Sequence, residues 1–210
     1  MPDLSDFRLG ADVVDSEGRR AGTLVSVLVE QQGFDPKAVV VKDETSLAGR
    51  LIAGEKLFIN DEVVIPITAV ASATHDVVRL SISGDDVRRL PPYISYRFEP
   101  RTEGGAGLEE AQFLGGGLGM PGADEVANKP PDQIEIDRDE NVMLGRTGKR
   151  LGRVQDVLFD KGELIGVVIK PEGLFKQDVV VPIRFISRAD DMALFADIDE
   201  AGIKQLKPFD

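Results

Sequence analysis

The chain has 210 residues, of which 42% are hydrophobic and 30% are charged, and its formal net charge at pH 7 is −12. It contains no cysteine, which excludes disulfides, thiolate metal sites and thiol nucleophiles. The acidic balance argues against nucleic-acid binding, and the apolar runs are too short to cross a bilayer. Because the first residues also lack the pattern of a secretory signal, we expect a cytoplasmic protein without membrane insertion.

The first predicted elements form a β-hairpin. Residues 9–15 and an apolar run at residues 24–29 flank a turn that contains Gly18, which tolerates positive φ. A β-branched strand follows at residues 39–41, and the small residues at 43–54 predict a surface excursion.

The remaining elements of this first copy are strands and one short helix. Pro66 and its counterpart Pro182 cannot donate to a ladder, which predicts a strand end, an edge or a bulge at each. His75, the only histidine, is expected in an exposed turn, so neither a Ser-His-Asp triad nor a histidine zinc site is predicted. The spacing of Val87 and Leu90 predicts a helix at residues 85–90 that packs on the sheet.

Residues 101–131 predict a flexible linker, because eight glycines lie between Gly104 and Gly122. A short helix is expected at residues 108–114. The G-x-G-x-x-G spelling at residues 117–122 follows no strand and includes a proline, so no cofactor site is predicted there.

The second copy, at residues 132–210, repeats the first copy, at residues 1–100. The aligned blocks are residues 18–29 with 148–159, residues 39–42 with 167–170, and residues 63–67 with 179–183. The offset between the copies falls from 130 to 128 to 116 along these blocks. The first copy therefore holds two extra residues at 31–36 and twelve more within 43–54, and the second copy should end in a helix at residues 199–206.

The repeated signature resembles the PRC-barrel family. In the first copy, Gly18 and Gly22 precede Val25-x-Val27-Leu28; in the second, Gly148 and Gly152 precede Val154-x-x-Val157-Leu158; and each copy has a later Val-x-Pro-Ile strand. The family includes the cytoplasmic domain of the photosynthetic reaction centre H subunit and the C-terminal domain of a ribosome maturation factor. The resemblance implies an all-β fold of two small, strongly bent barrels, each closed by a short C-terminal helix and joined by the Gly-rich linker.

Candidate partner-binding residues come from the repeated basic doublets, the excursion and the linker. A solvated strand face, with Asp15, Glu17 or Asp156 near enough to neutralise the doublets, is the favoured explanation; the alternative is that they bind an acidic patch on a partner. The candidates are Arg19, Arg20, Lys149, Arg150, Arg50, Leu51 and Phe113.

No catalytic, cofactor or metal residue is predicted. Asp137-x-Asp139-x-Asn141 has the spacing of the first calcium-loop ligands, but Val142 and Gly148 occupy the positions of the loop's glycine and its final glutamate.

Non-catalytic protein binding is the leading functional hypothesis. Members of the family act as docking modules, and two copies on one chain raise the effective concentration of the second contact. The alternatives are a ribosome- or RNA-associated maturation factor, and a subunit or assembly factor of a membrane complex of the photosynthetic type. The two barrels could also pack on each other as a pseudo-dimer, or the protein could form a homo-oligomer. A deep pocket lined by carboxylates of both copies would favour an enzyme instead.

Overall fold

The computed structural model describes residues 7–42, 62–98, 123–172, 177–190 and 192–209, which form an all-β fold with little helix. The first half contains β1 Asp12–Val14, β2 Arg20–Glu30, β3 Pro36–Lys42, β4 Glu62–Pro66, β5 Val70–Ala73, β6 Val77–Leu80, α1 Gly84–Arg89 and β7 Ile94–Phe98. The second half contains β8 Ala123–Ala127, β9 Gln133–Asp137, β10 Asn141–Leu144, β11 Arg150–Asp160, β12 Glu163–Pro171, β13 Val179–Pro182, β14 Ile186–Asp190, β15 Ala193–Ala196, α2 Glu200–Ile203 and β16 Lys207–Pro208.

The two copies have the same strand topology. The first copy follows the order β4-β3-β2-β1-β6-β5, and the second follows β13-β12-β11-β10-β15-β14 with β16 beyond β13. The β1–β6 and β10–β15 pairs are parallel, and the other pairs are antiparallel. The hydrogen-bonded path stays open in the described residues, because its first and last strands do not pair; a closed barrel is not found there, and closure by the C-terminal helix stays a prediction.

Both helices differ from the sequence prediction, α1 in its position and α2 in its length. α1 begins one residue earlier than expected, because the Ser83 side chain caps it by accepting a hydrogen bond from the Asp86 N–H. α2 is only one turn long, because the chain then extends into β16, which pairs with β13. Val87 is buried in the core, while Leu90, Ile203 and Leu206 pack against it at its margin.

The longest strand of each copy pairs irregularly with the next strand. β2 and β11 both run for 11 residues, and each carries two irregularities in its pairing with the next strand. A β-bulge increases local twist and bends a strand, so one long strand can cross from one side of the domain to the other. Pro66 and Pro182 end β4 and β13, which confirms the sequence prediction for both prolines.

The repeated Gly-x-x-x-Gly motif has two separate physical roles. Gly18 and Gly148 lie in the hairpin turns with φ of 81° and 66°, a conformation that favours glycine. Gly22 and Gly152 lie under the neighbouring strand instead, where a Cβ atom would sit 2.3 Å from the Lys42 carbonyl oxygen and 2.4 Å from the Lys170 carbonyl oxygen.

The two copies share one hydrophobic core. β9, which begins the second copy, pairs antiparallel with the distal half of β2 in the first copy, placing Ile136 opposite Val27. Phe7 and Phe159 make an edge-to-face contact with ring centroids 5.1 Å apart. The buried cluster is continuous across both copies, so they form one folded body.

The segment predicted as a linker is partly strand. β8 lies within it and pairs with β7 as a two-stranded ribbon. The excursion at residues 43–54 and the expected helix at residues 108–114 lie outside the described residues.

Candidate functional site

The basic doublet of the first copy lies beside a buried carboxylate. Arg19 contacts Asp15 through Nε and Nη2, both 2.9 Å from Oδ2, and its Nη1 lies 3.2 Å from Glu17. Arg20 pairs with Asp12 at 3.0 Å. Both arginines are therefore engaged in ion pairs, and their role in partner binding stays a prediction.

Asp15 joins the hairpin turn to α1. Its carboxylate accepts hydrogen bonds from the backbone N–H groups of Glu17, Arg19 and Gly84 at 2.9, 2.9 and 3.1 Å. Burial on its own would raise the pKa of Asp15, but the hydrogen bonds from Arg19, Glu17 and Gly84 lower it to about 2. The sequence gives no signal for this link between Asp15 and α1, because Gly84 is distant in the chain.

The second copy builds its doublet differently. Arg150 is half-buried, donates to Asn141 Oδ1 at 3.2 Å and pairs with Glu172. Lys149 is exposed, and its ammonium has no hydrogen bond or ion pair within the described residues. Of the two doublets, Lys149 is thus the cation most accessible to a partner. The other candidates, Arg50, Leu51 and Phe113, lie outside the described residues.

A cleft of about 490 Å³ lies where the two copies meet. The first copy contributes apolar residues of β2, together with Ser26, Glu62 and Tyr93. β9 and the residue after it contribute Glu135, Asp137 and Arg138. We call this feature the inter-copy cleft.

Glu135 is the central polar contact of the inter-copy cleft. One of its oxygens accepts a hydrogen bond from the hydroxyl of Ser26, and the other accepts one from the hydroxyl of Tyr93. Arg138 adds a second link between the copies by donating to the Leu9 carbonyl at 2.8 Å. These contacts stabilise the joint between β2 and β9, because each satisfies a polar group that the union of the copies would otherwise bury without a partner.

Two further carboxyl groups near this joint hold protons unusually tightly. Partial burial and repulsion from Glu135, Asp139 and Glu62 raise the pKa of Asp137 to about 6. Burial raises the pKa of Glu140 to about 8, and the charge of Asp137 adds to the rise. Both Glu140 oxygens are buried without a hydrogen bond of ordinary geometry in the described residues.

The chemistry available at the inter-copy cleft is limited by access. Ser26 and Glu135 have the arrangement of a hydroxyl beside a base, but Ser26 is 0% exposed in this structure. Tyr93 is also buried. The only histidine, His75, lies in the exposed turn between β5 and β6 and contacts Asp76 at 2.8 Å, as the sequence predicts for its position.

The described parts of the chain contain neither a metal-binding cluster nor a membrane-spanning helix. No group of three or more carboxylate or imidazole side chains there is arranged to hold a metal ion. Nor does any helix in those parts have the length and apolar character that a membrane span requires.

The sequence contained a signal for the joint between the copies. The alternation Gln133-Ile134-Glu135-Ile136-Asp137 is typical of a strand with one apolar face, and both isoleucines are buried. What the alternation did not indicate was that this strand pairs with the other copy, since strand partners are set by the topology of the whole chain.

Comparison with known proteins identifies one family. The family model described as PRC-barrel domain matches residues 7–87 and 138–201, which together make up more than half of the chain. The two matched segments fall on the two copies that the structure shows. No curated protein matches this chain.

Proposed function

The chain belongs to the PRC-barrel family, and from this premise we propose that it is a cytoplasmic, non-catalytic adaptor that binds a protein partner through its tandem copies. The observation that carries the proposal is the joint between β2 and β9. There one PRC-barrel copy accepts a strand of another copy, which is recognition by strand addition within a single chain.

The shared core supports a particular kind of adaptor. Two domains on a flexible tether would bind as independent modules, whereas two domains with one core present fixed surfaces at a fixed spacing. A partner that contacts both copies then loses less conformational entropy on binding than it would with tethered domains. This geometry favours a single partner surface rather than two separate sites.

The inter-copy cleft bears on the non-catalytic part of the proposal in two ways. Carboxylates of both copies line it, Glu62 with Glu135 and Asp137, which favours an enzyme as the second candidate function. Against an enzyme, the hydroxyls of Ser26 and Tyr93 are buried, and each donates a hydrogen bond to one oxygen of Glu135. The net charge of −12 disfavours the RNA-associated alternative, because affinity for nucleic acid depends strongly on neutralising its phosphates.

Affinity capture from the source cells tests the proposal. Tagged full-length protein should recover one reproducible protein partner in near-equal amount, and nuclease treatment should not release it. Recovery that disappears with nuclease treatment would contradict the adaptor function and favour the RNA-associated alternative.

A matched pair of charge reversals tests the doublet residue that is most accessible. Lys149→Glu should reduce recovery of the partner, whereas Lys161→Glu, at an exposed position in the β11–β12 turn, should leave it unchanged. Equal recovery with both variants would remove Lys149 from the binding surface.

A further inference from the structure

A second pocket, of about 340 Å³, lies in the second copy away from the inter-copy cleft. It is formed by the turn after β10, the edge strand β14 and the end of β15. Its lining consists of Gly145, Arg146, Ser187, Arg188, Phe195 and Asp197. We call it the edge pocket.

Arg188 is held in the edge pocket without an acidic partner. It lies opposite Phe195 in the β14–β15 ladder, and its guanidinium sits 4.0 Å from the centroid of the Phe195 ring. No carboxylate in the described residues is paired with it. Stacking on an aromatic ring limits the movement of the guanidinium but leaves its N–H donors able to bind a carboxylate.

Arg146 is oriented toward the same pocket by one contact. Its Nε donates to Asp197 at 2.8 Å, and its two terminal nitrogens make no hydrogen bond within the described residues. The pair of Arg146 and Asp197 is close to neutral, so the charge of Arg188 gives the pocket a net positive charge on a strongly acidic protein.

The outer edge of β14 is open along only part of its length, because Gln31 Nε2 of the first copy donates to the Ala189 carbonyl at 3.3 Å. β14 is the outermost strand of its sheet in the described residues, and Ser187 and Arg188 are exposed along it. An extended peptide can pair with such an edge and place every second side chain on one face.

The edge pocket belongs to the second copy and does not follow from the common fold. At the position of Arg188 the first copy has Ser72, and at the position of Phe195 it has Arg79, as the matching registers of β5–β6 and β14–β15 show. The first copy therefore cannot stack an arginine on an aromatic ring at this place. The two copies therefore share the backbone at this place but differ in the side chains that it carries, and only the second copy has the stacked arginine.

We propose that the edge pocket binds an acidic, extended segment of the protein partner, with a carboxylate on Arg188 and Arg146 and the peptide backbone along the part of the β14 edge that carries Ser187 and Arg188. The inference rests on the proposed adaptor function, since it assigns the site at which the partner docks. The positive charge of the pocket favours an acidic occupant. The edge strand favours an extended one, because a peptide must be extended to pair with it.

A peptide titration tests the assignment directly on the full chain. The probe is a labelled peptide of about ten residues that alternates glutamate and valine and is blocked at both ends, so that one face is acidic when it is extended. Its binding is followed by fluorescence anisotropy, and we expect Arg188→Ala to weaken it about tenfold because a charge-assisted contact is lost. The matched control is Arg79→Ala. This variant also removes one exposed arginine, but from the first copy, where Arg79 stands at the strand position that Phe195 has in the second copy.

The outcomes separate the site from the proposed function. No binding of the probe, or equal weakening by Arg188→Ala and Arg79→Ala, would overturn the edge pocket assignment. Tighter binding after Glu109→Gln with Glu110→Gln would place the chain's own acidic segment in the pocket and overturn the partner assignment. If the cellular partner is captured equally by wild type and Arg188→Ala, the adaptor function stands and this site fails.

Discussion

Two carboxyl groups in this protein differ in proton affinity because their hydrogen-bond environments differ. Asp15 is buried but accepts three backbone hydrogen bonds and an arginine, so its ionised form is favoured. Within the described residues, no comparable set of donors faces the buried carboxyl of Glu140, so its protonated form is favoured. Sequence alone could not distinguish them, since the difference comes from residues distant in the chain such as Gly84.

Replacing Asp15 should destabilise the first copy and change its response to acid. Its pKa is about 2 in the folded protein and 3.8 in the unfolded chain. A lowered pKa contributes stability that is complete above the unfolded value and is lost as pH falls from about 4 through about 2. Asp15→Asn should therefore lower the melting temperature at neutral pH, with a smaller difference from wild type at pH 2, as measured by circular dichroism. The control is Asp12→Asn, at an exposed surface pair, which should melt like wild type at both pH values.

Glu140 should make the protein less stable at alkaline pH. Its pKa rises from 4.5 in the unfolded chain to about 8 in the folded protein, so the folded state binds an extra proton between these values. Stability then falls as pH rises from about 4.5 to about 8. Glu140→Gln should remove the part of this dependence that lies above about pH 6, where Asp137 no longer titrates, and should be more stable than wild type at pH 8.5, by on the order of 3 kcal/mol in urea unfolding. Glu163→Gln, at an exposed position, is the control, and a wild-type-like pH profile for Glu140→Gln would contradict the assignment.

At the scale of elements, the β2–β3 pair and the β11–β12 pair each depend on a close approach between two backbones. The second glycine of each motif allows the next strand to cross with its carbonyl oxygen nearly in contact, and the bulges beyond it bend the long strand. The pairing of β3 with β2, and of β12 with β11, therefore depends on the absence of a side chain at Gly22 and Gly152.

An alanine at Gly22 should force the strands apart. The new Cβ would meet the Lys42 carbonyl at 2.3 Å, and φ of 149° at this residue adds backbone strain. Gly22→Ala should lower the free energy of unfolding by roughly 3 kcal/mol or more, measured in urea. Gly145→Ala is the control, because its Cβ would meet nothing closer than 3.6 Å. Equal stability of both variants would show that the strand crossing is less constrained than the backbone indicates.

The element scale also shows what the sequence could predict. The duplication, the hairpin glycines, the exposed turn of His75 and the strand ends at Pro66 and Pro182 follow from local rules, and the structure confirms them. The length of α2 was overestimated, because pairing of β16 with β13 competes with helix for the same residues. The edge pocket was missed because Arg146, Arg188 and Phe195 are brought together only by strand pairing.

At the scale of the whole molecule, the copies depend on each other. β9 completes the sheet of the first copy, and Phe7 packs on Phe159 of the second. Each copy alone would expose apolar surface that the other now covers. The sequence predicts that the second copy begins at residue 132, and β9 therefore belongs to the second copy by its place in the chain. In the structure, however, β9 pairs with β2 of the first copy.

Halves of the protein should recognise each other. When residues 1–110 and 111–210 are produced together with a tag on one half, we expect them to purify as a pair in equal amounts. Ile136→Asp in the second half should abolish this association, because Ile136 is fully buried opposite Val27. Ile165→Asp is the control, since Ile165 is 45% exposed on β12. Pairing that survives Ile136→Asp would indicate that the β2–β9 joint contributes little to the union.

The β7–β8 ribbon has a consequence for how the chain tolerates being cut. Its two strands hold the chain together on both sides of residues 99–122, and the common core holds the rest. A protease that cleaved this segment after folding would leave two polypeptides in one intact particle. Covalent continuity is thus dispensable once the protein has folded, and a nicked form should run as two fragments in denaturing gels but elute as one species under native conditions.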